Sequence, residues 1–293
     1  MSTSNKKKGL VLAGGNATRL NPTTLAVNKH LLPVFDKPMI FYSLSILMLT
    51  KIQDVAIVCN KEDVPLFSKF FGDGSRYGMS IRYIVQEKAL GIANAIDISR
   101  QFINDQSLAV ILGDNIFYGS ALTPKLEKAS KRETGATIFC NEVLDPKRFG
   151  VVEFDENSKV VSIEEKPVLP KSNYAVTGLY FYDDKISEIA SKVQFSARGE
   201  KEVTSINNYY LEAGEMYTEI LGRGNTWLDT GTPDSLLEAS QFIASTQRNQ
   251  GYQIACLEEI ALRNEWIDKN MLRRDYESKS PSPYVDYVLN LTC

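Results

Sequence analysis

Near the start of the chain, an apolar run from Leu10 to Ala13 empties into Gly14-Gly15, and the polar loop that follows carries Arg19 and Lys29. Such a run reads as a buried strand, and glycine lets the backbone pass close to a ligand. Peptide N–H groups together with two cations suit a large anion such as a nucleoside polyphosphate. A Gly-Gly turn with solvated charges fits the same letters, but a loop this long before the next element favours a functional one. The stretch is not the dinucleotide fingerprint, which needs a third glycine on a helix, nor a Walker loop, which needs Gly-Lys-Ser/Thr.

Further chemistry-bearing residues stand just after predicted strands. Asp114 follows the apolar run Leu108–Leu112 and a glycine; Asp229 ends a strand before a helix opened by Thr232-Pro233. A carboxylate at a strand end beside a glycine, as at Asp114, suits a hard cation that holds phosphates, or makes a turn or cap; Asp229 could cap the helix that follows it. Gln86, after a strand from Ile81, offers both a donor and an acceptor to a base edge, and Gly91 at a helix start lets backbone approach a ring. Glu165-Lys166-Pro167 pairs a hydroxyl acceptor with an ammonium, and Arg198 could fork onto a phosphate. Each of these has a bland counterpart: a surface glutamine, a solvated pair, a surface arginine. His30 is the one histidine, so no multi-histidine metal site can form.

The elements that must position these groups alternate. Strands at Leu10, Asp54–Cys59, Ile81–Val85 and Leu108–Leu112 are separated by helices at Lys37–Leu49, Val64–Phe71 and Ile92–Phe102. This order predicts a doubly wound α/β sheet, mostly parallel, with ligands beyond the carboxyl ends of the strands. The helix opened by Lys37-Pro38 is apolar nearly all round and is expected to be buried, at a subunit contact among other options. The second half is less regular. It has strands at Arg148–Phe154, Val160–Glu164 and Asn173–Tyr182, the last interrupted by Gly178, and a helix from Glu202 to Leu211. Beyond Gly251 a partly polar helical tail is broken by Ser280-Pro-Ser-Pro283.

Composition excludes several classes. The 293 residues carry 33 basic and 36 acidic side chains, a net charge of −3, which gives no field to recruit a nucleic-acid polymer or an anionic membrane. No apolar run approaches the roughly 18 residues of a membrane span. Met1 to Lys8 is polar and basic without a signal core. Cys59, Cys140, Cys256 and Cys293 are far apart and form no Cys-x-x-Cys pair, which fits a reducing compartment, the cytoplasm.

The opening Leu12-Ala-Gly-Gly-Asn-Ala-Thr-Arg-Leu20, with Glu164-Glu-Lys-Pro167 and Trp227-Leu-Asp-Thr-Gly-Thr-Pro233, resembles the sugar-phosphate nucleotidyltransferases, and the fit is best with glucose-1-phosphate thymidylyltransferases over nearly the whole chain. The resemblance implies a Rossmann-like nucleotidyltransferase fold with sugar-binding insertions. Residues 1–250 would form the nucleotidyltransferase domain, nucleotide-binding to about 120 and sugar-phosphate-binding from 121, and 251–293 a helical tail packed on it. Leu12, Gly14, Gly15, Gln86, Gly91 and Asp114 would bind the nucleotide; Gly150, Glu165, Lys166, Val176 and Arg198 the sugar phosphate. Arg19, Lys29, Lys166 and Arg198 would carry catalysis, with Mg²⁺ on Asp114 and Asp229. The implied reaction makes dTDP-glucose and pyrophosphate from dTTP and α-D-glucose 1-phosphate. A uridylyl or other hexose-1-phosphate nucleotidyltransferase, and a catalytically silent nucleotide-sugar-binding subunit, are the alternatives. The resemblance also implies a homo-oligomer, a tetramer, and a second nucleotide-sugar site near Tyr118, Gly119, Glu259, Ile260 and Arg263. Leu90, Asn94, Phe149, Ser205 and His30 depart from the family's usual letters.

Overall fold

The computed structural model describes residues 7–293. Its strands are β1 (Lys8–Leu12), β2 (Pro33–Val34), β3 (Lys37–Pro38), β4 (Asp54–Cys59), β5 (Ser80–Val85), β6 (Leu108–Leu112), β7 (Asn115–Gly119), β8 (Ala136–Glu142), β9 (Gly150–Phe154), β10 (Val160–Glu165), β11 (Tyr174–Tyr182), β12 (Met216–Ile220) and β13 (Asn225–Asp229). Its helices are α1 (Ile40–Leu49), α2 (Val64–Phe71), α3 (Ile92–Ile98), α4 (Arg100–Ile103), α5 (Leu122–Ser130), α6 (Ile186–Lys192), α7 (Val203–Glu212), α8 (Pro233–Gln250), α9 (Leu257–Arg263), α10 (Lys269–Glu277) and α11 (Pro283–Asn290).

The main sheet runs β10-β9-β11-β6-β1-β4-β5, with β8 beside β11 and β12 beside β8. Strands β6, β1, β4 and β5 are parallel, as the alternation of strand and helix requires. The chain leaves β1 for β4 on one side and later returns to β6 on the other, so winding reverses at the β1/β6 seam. The tips of β1, β4, β5 and β6 then lie side by side, and the loops after them converge. The second half joins through β11, which runs antiparallel to β6, β8 and β9. Its register shifts between Val176 and Tyr180, around Gly178.

Two local expectations are corrected. Lys37-Pro38 does not open a helix: it is β3, paired with β2 as a hairpin (Pro33 with Pro38), and α1 starts at Ile40. The turn at Phe35-Asp36 and the Met39 N–H bond to the Leu32 carbonyl (3.0 Å) close that hairpin. The helix expected over Ile92–Phe102 is broken into α3 and α4 at Ser99, whose hydroxyl bonds back to the Ala95 carbonyl (2.7 Å).

Helix α1 is buried on every face within the chain itself, against β7, β1 and α9. The tail shares its core: Leu257, Ala261, Leu272, Tyr276, Val285 and Val288 pack in one cluster with Val11, Ile40 and Leu44. The buried Glu258 ties it down. It accepts hydrogen bonds from the hydroxyls of Tyr276 and Tyr284, the second at 2.5 Å, and faces the Arg76 guanidinium at 3.6 Å. Among the described residues no helix is long and apolar enough to cross a membrane.

Candidate active site

The converging loops enclose a cleft of two lobes. A lobe of about 280 Å³ is lined by Leu12, Gly14, Gly15, Lys29, Gln86 and Gly91 among others. A second of about 450 Å³ is lined by Arg19, Arg148, Phe149, Gly150, Val176 and Asp229 among others. Asp114, Glu165, Lys166, Leu112, Ile92 and Val203 line both, so the lobes meet there.

Asp114 follows β6, where the strand tip ends at Leu112 and Gly113. A Cβ on Gly113 would lie 2.5 Å from the His30 ring, so only glycine lets that imidazole pack under the turn. Lys29 reaches Asp114 from the loop after β1, its Nζ 2.5 Å from Oδ2. Burial opposes ionisation of Asp114, but the Lys29 ammonium overrides it and holds the carboxyl down at about 2. His30 is buried, and burial with the Lys29 charge pushes it down to about 3, so the ring is neutral. Asn28 fixes its tautomer. The Asn28 Nδ2 donates to the Ala13 carbonyl (3.0 Å) and Asp63 (2.7 Å), leaving Oδ1 to accept from the His30 N–H (2.9 Å) and Nδ1 (2.7 Å). His30 thus braces the turn that aims Lys29.

Asp229 comes from a different part of the chain. The β7–β13 hairpin-like pair sets it opposite Asn115, and the Thr230 N–H and hydroxyl bind the Asp114 carbonyl at 3.1 and 2.7 Å. Asn115 is the hub. Its Nδ2 donates to Asp114 (3.0 Å), while its Oδ1 accepts from the Gly178 N–H (3.0 Å) and Trp227 Nε1 (2.6 Å). Burial and then the neighbouring Asp114 charge push the Asp229 carboxyl above the usual range, against the pull of Arg19, Lys29 and Arg148. Thr232, not Asp229, caps α8. Two adjacent carboxylates that repel each other fit a divalent cation. Mg²⁺ takes one or two carboxylates and completes its shell with phosphates and water, so the donor set of this pair fits it.

On the other wall, Glu165 ends β10. Its Oε2 accepts from the Thr204 hydroxyl (2.6 Å), and its Oε1 faces Lys166 (3.8 Å) and Arg198 (3.5 Å). Arg198 also meets Glu200 (3.6 Å) and Glu202 (3.5 Å). Arg198 lines neither lobe. It is exposed at the rim and connects to the cleft through Glu165. Arg19 lies in the lobe with Asp229 rather than the one with Lys29, its guanidinium 2.7 Å from where a Cβ on Gly231 would stand.

Arg148, Asn115, Trp227 and Thr204 are site residues that no role was read for in the sequence. Arg148 stands two residues before Gly150, at the start of a predicted strand, and could have been found there. The Asn115–Trp227 contact spans 112 positions and leaves no local signal. Of the departures, Phe149 packs edge-on against Trp227 (5.1 Å between centroids), and Ser205 sits on the exposed face of α7, away from both lobes. Tyr118, Gly119, Glu259, Ile260 and Arg263 come together around a separate cavity of about 540 Å³ that shares no lining residue with the cleft.

Comparison with known proteins agrees with this architecture. The family described as nucleotidyl transferase matches residues 8–246. The chain is 50% identical to the glucose-1-phosphate thymidylyltransferase of Neisseria meningitidis serogroup A, over 97% of this chain and 99% of that protein. It is 51% identical to that of Xanthomonas campestris pv. campestris, over 92% and 91%. A solved Bacillus anthracis protein, described as a candidate glucose-1-phosphate thymidylyltransferase in complex with sucrose, superposes with a TM-score of 0.75 at 42% identity, covering 80% of this chain and 94% of that one. A UDP-glucose pyrophosphorylase complexed with UDP-glucose shares the fold at 24% identity and a TM-score of 0.69, over 82% and 99%.

Proposed function

The chain belongs to the nucleotidyl transferase family, and from that premise we propose that its cleft joins dTTP to α-D-glucose 1-phosphate, forming dTDP-glucose and releasing pyrophosphate. The observation that carries this is the fusion of two lobes at Asp114, Glu165 and Lys166. One lobe, floored by glycines and Gln86, takes the nucleotide; the other, walled by Glu165, Val176 and Gly150, takes the hexose. The reacting phosphates then meet at the seam.

The attacking sugar phosphate is already an oxyanion, so no general base is needed. The obstacle is electrostatic. Unit charges about 4 Å apart repel by about 1 kcal/mol in water and several-fold more at protein-like dielectric. Lys166, with Arg198 swinging from Glu165, holds the attacking phosphate in line with the α-phosphorus. Lys29 and Arg19 take the charge that grows on pyrophosphate as it leaves. Glu165 accepts sugar hydroxyl protons. Asp114 and Asp229 would hold Mg²⁺, which when bound supplies charge stabilisation to the phosphates. Positioning and charge cancellation account for the rate enhancement.

The same proposal places the protein in the cytoplasm, where the buried free thiols Cys59, Cys140 and Cys256 stay reduced, and assembles it as a homo-oligomer, a tetramer. The separate cavity at Arg263 would bind the nucleotide-sugar product; loss of that binding in Arg263→Ala tests the assignment. Pyrophosphate release measured over a panel of triphosphates and hexose 1-phosphates tests the main reading. Release with dTTP and glucose 1-phosphate is expected. Preference for UTP would favour uridylyl transfer, and no release with any pair would favour a binding subunit.

A further inference from the structure

The side chain that faces the nucleotide lobe from the end of β5 is not free to choose which end of its amide it shows. Gln86 Nε2 donates to Asn94 Oδ1 at 2.9 Å and is aimed at the Gly91 carbonyl at 3.5 Å. Its amide nitrogen therefore faces two protein acceptors. The amide oxygen points the other way, 3.4 Å from where a Cβ on Gly14 would stand, and Gly14 and Gln86 both line the lobe. Asn94, on the first turn of α3, does not line it. It stands behind Gln86, and its side-chain oxygen is the nearer of the two acceptors, with the Gly91 carbonyl, that hold the orientation.

We infer that Asn94 is a positioning residue for base choice: by accepting from Gln86 it makes the lobe present a hydrogen-bond acceptor, and so selects bases with an imino N–H. This rests on the reading that the nucleotide base lies in the lobe of Gln86. Thymine and uracil carry that hydrogen on N3 and satisfy the acceptor. Cytosine carries a lone pair at the same atom, and two acceptors then face each other with neither paired. A polar group left unpaired in a site built for its partner is the strongest device for rejecting an analogue. With the acceptor removed from position 94, Gln86 can turn its amide and offer Nε2 to cytosine. Thymine keeps its partner, because the original orientation stays accessible. The device does not separate dTTP from dUTP, which present the same N–H.

The test compares kcat/KM for dTTP and dCTP, each with glucose 1-phosphate, in wild type, Asn94→Leu and Asn94→Asp. Leucine has a similar size and no acceptor; aspartate keeps one. The dTTP:dCTP ratio is expected to fall by about ten- to a hundredfold in Asn94→Leu, through a lower KM for dCTP, with the KM for glucose 1-phosphate unmoved. Asn94→Asp is expected to keep the wild-type ratio. An unchanged ratio in Asn94→Leu, or the same loss in Asn94→Asp, would overturn the inference. If the leucine variant does not fold, Asn94→Ala removes the same acceptor and is read the same way. Gln86→Leu separates the two levels: if it leaves the KM for dTTP and the ratio unchanged, the base does not lie on Gln86 and the placement of the nucleotide fails. If it raises the KM while Asn94→Leu does nothing, only the role of Asn94 fails.

Discussion

Replacing Lys29 by methionine should reverse the sign of a pH dependence. In the wild type the Lys29 ammonium sits 2.5 Å from Asp114, and the carboxyl, ordinarily near 3.8, is held at about 2. At about 1.4 kcal/mol per pH unit, that is worth about 2 kcal/mol of stability. The folded value lies below the unfolded one, so this stabilisation is present above about pH 4 and is lost as pH falls toward 2. Methionine removes the cation and leaves Asp114, 8% exposed, with the burial that opposes its ionisation and with Asp229 beside it. The Asp114 carboxyl then moves above its ordinary range. Its ionised form costs stability at neutral pH, and protonation relieves that cost on mild acidification. Lys29→Met should lose between the about 2 kcal/mol of that pairing and the roughly 3–5 kcal/mol cost of breaking a buried pair at pH 7, and a smaller amount at pH 5. Urea unfolding followed by tryptophan fluorescence at pH 7, 6 and 5 measures both numbers. Equal losses at all three values would refute the argument that Lys29 sets the charge state of Asp114. Turnover should be abolished in the same variant.

Two other substitutions probe the supports of the site. Gly178→Ala would put a Cβ 2.6 Å from Leu112 Cγ and 2.7 Å from Asn115 Oδ1; a loss of about 1–3 kcal/mol in unfolding free energy is expected, with turnover falling further than stability explains because the Asn115 hub is displaced. Asp229→Asn removes the carboxylate whose ionised form is penalised by burial and by Asp114. Stability at pH 7 should hold or rise, while Mn²⁺ binding followed by electron paramagnetic resonance weakens and turnover drops by at least about a hundredfold; tight metal binding in that variant would remove Asp229 from the metal site.

The parts of the site carried by short-range pattern were readable. Leu10–Ala13 before Gly14-Gly15, and Leu108–Leu112 before Asp114, are short apolar runs bounded by glycine that read as interior strands, and the sheet brings their tips together as parallel neighbours. Glu165-Lys166 and Asp229 likewise sit at the ends of strands β10 and β13. What was not readable depends on distant partners. Lys37-Pro38 fits a helix start on local rules, yet the Lys37 ammonium is buried between Asp36 (2.6 Å) and Gln247 of α8 (3.2 Å), a contact that spans 210 positions and favours the hairpin. Asn115 next to Asp114 looks like a turn residue; only β13 and β11, placed by the fold, turn it into the group that orders the carboxylates. The division of the cleft, with Arg19 beside Asp229 and Lys29 beside Asp114, follows from where the long loop after β1 folds back, and no periodicity encodes that.

The same groups that hold the cleft together without ligand are those a phosphate would recruit. Lys29 is neutralised by Asp114, Lys166 by Glu165, and Arg198 by Glu165, Glu200 and Glu202. A cluster of cations with no such partners would repel itself and destabilise the fold. Paired, it costs little, and an arriving phosphate exchanges one anionic partner for another. On the proposed function, the carboxylates released in that exchange would be free for the bound ligands: Asp114 beside Asp229 for a cation, Glu165 for sugar hydroxyls. Arg19 and Arg148, by contrast, have no ion-pair partner among the described residues, although both lie close enough to Asp229 to pull on its charge. They are the cations a phosphate can engage without first displacing a carboxylate, so the Asp229 side of the seam is where an incoming anion meets the least competition.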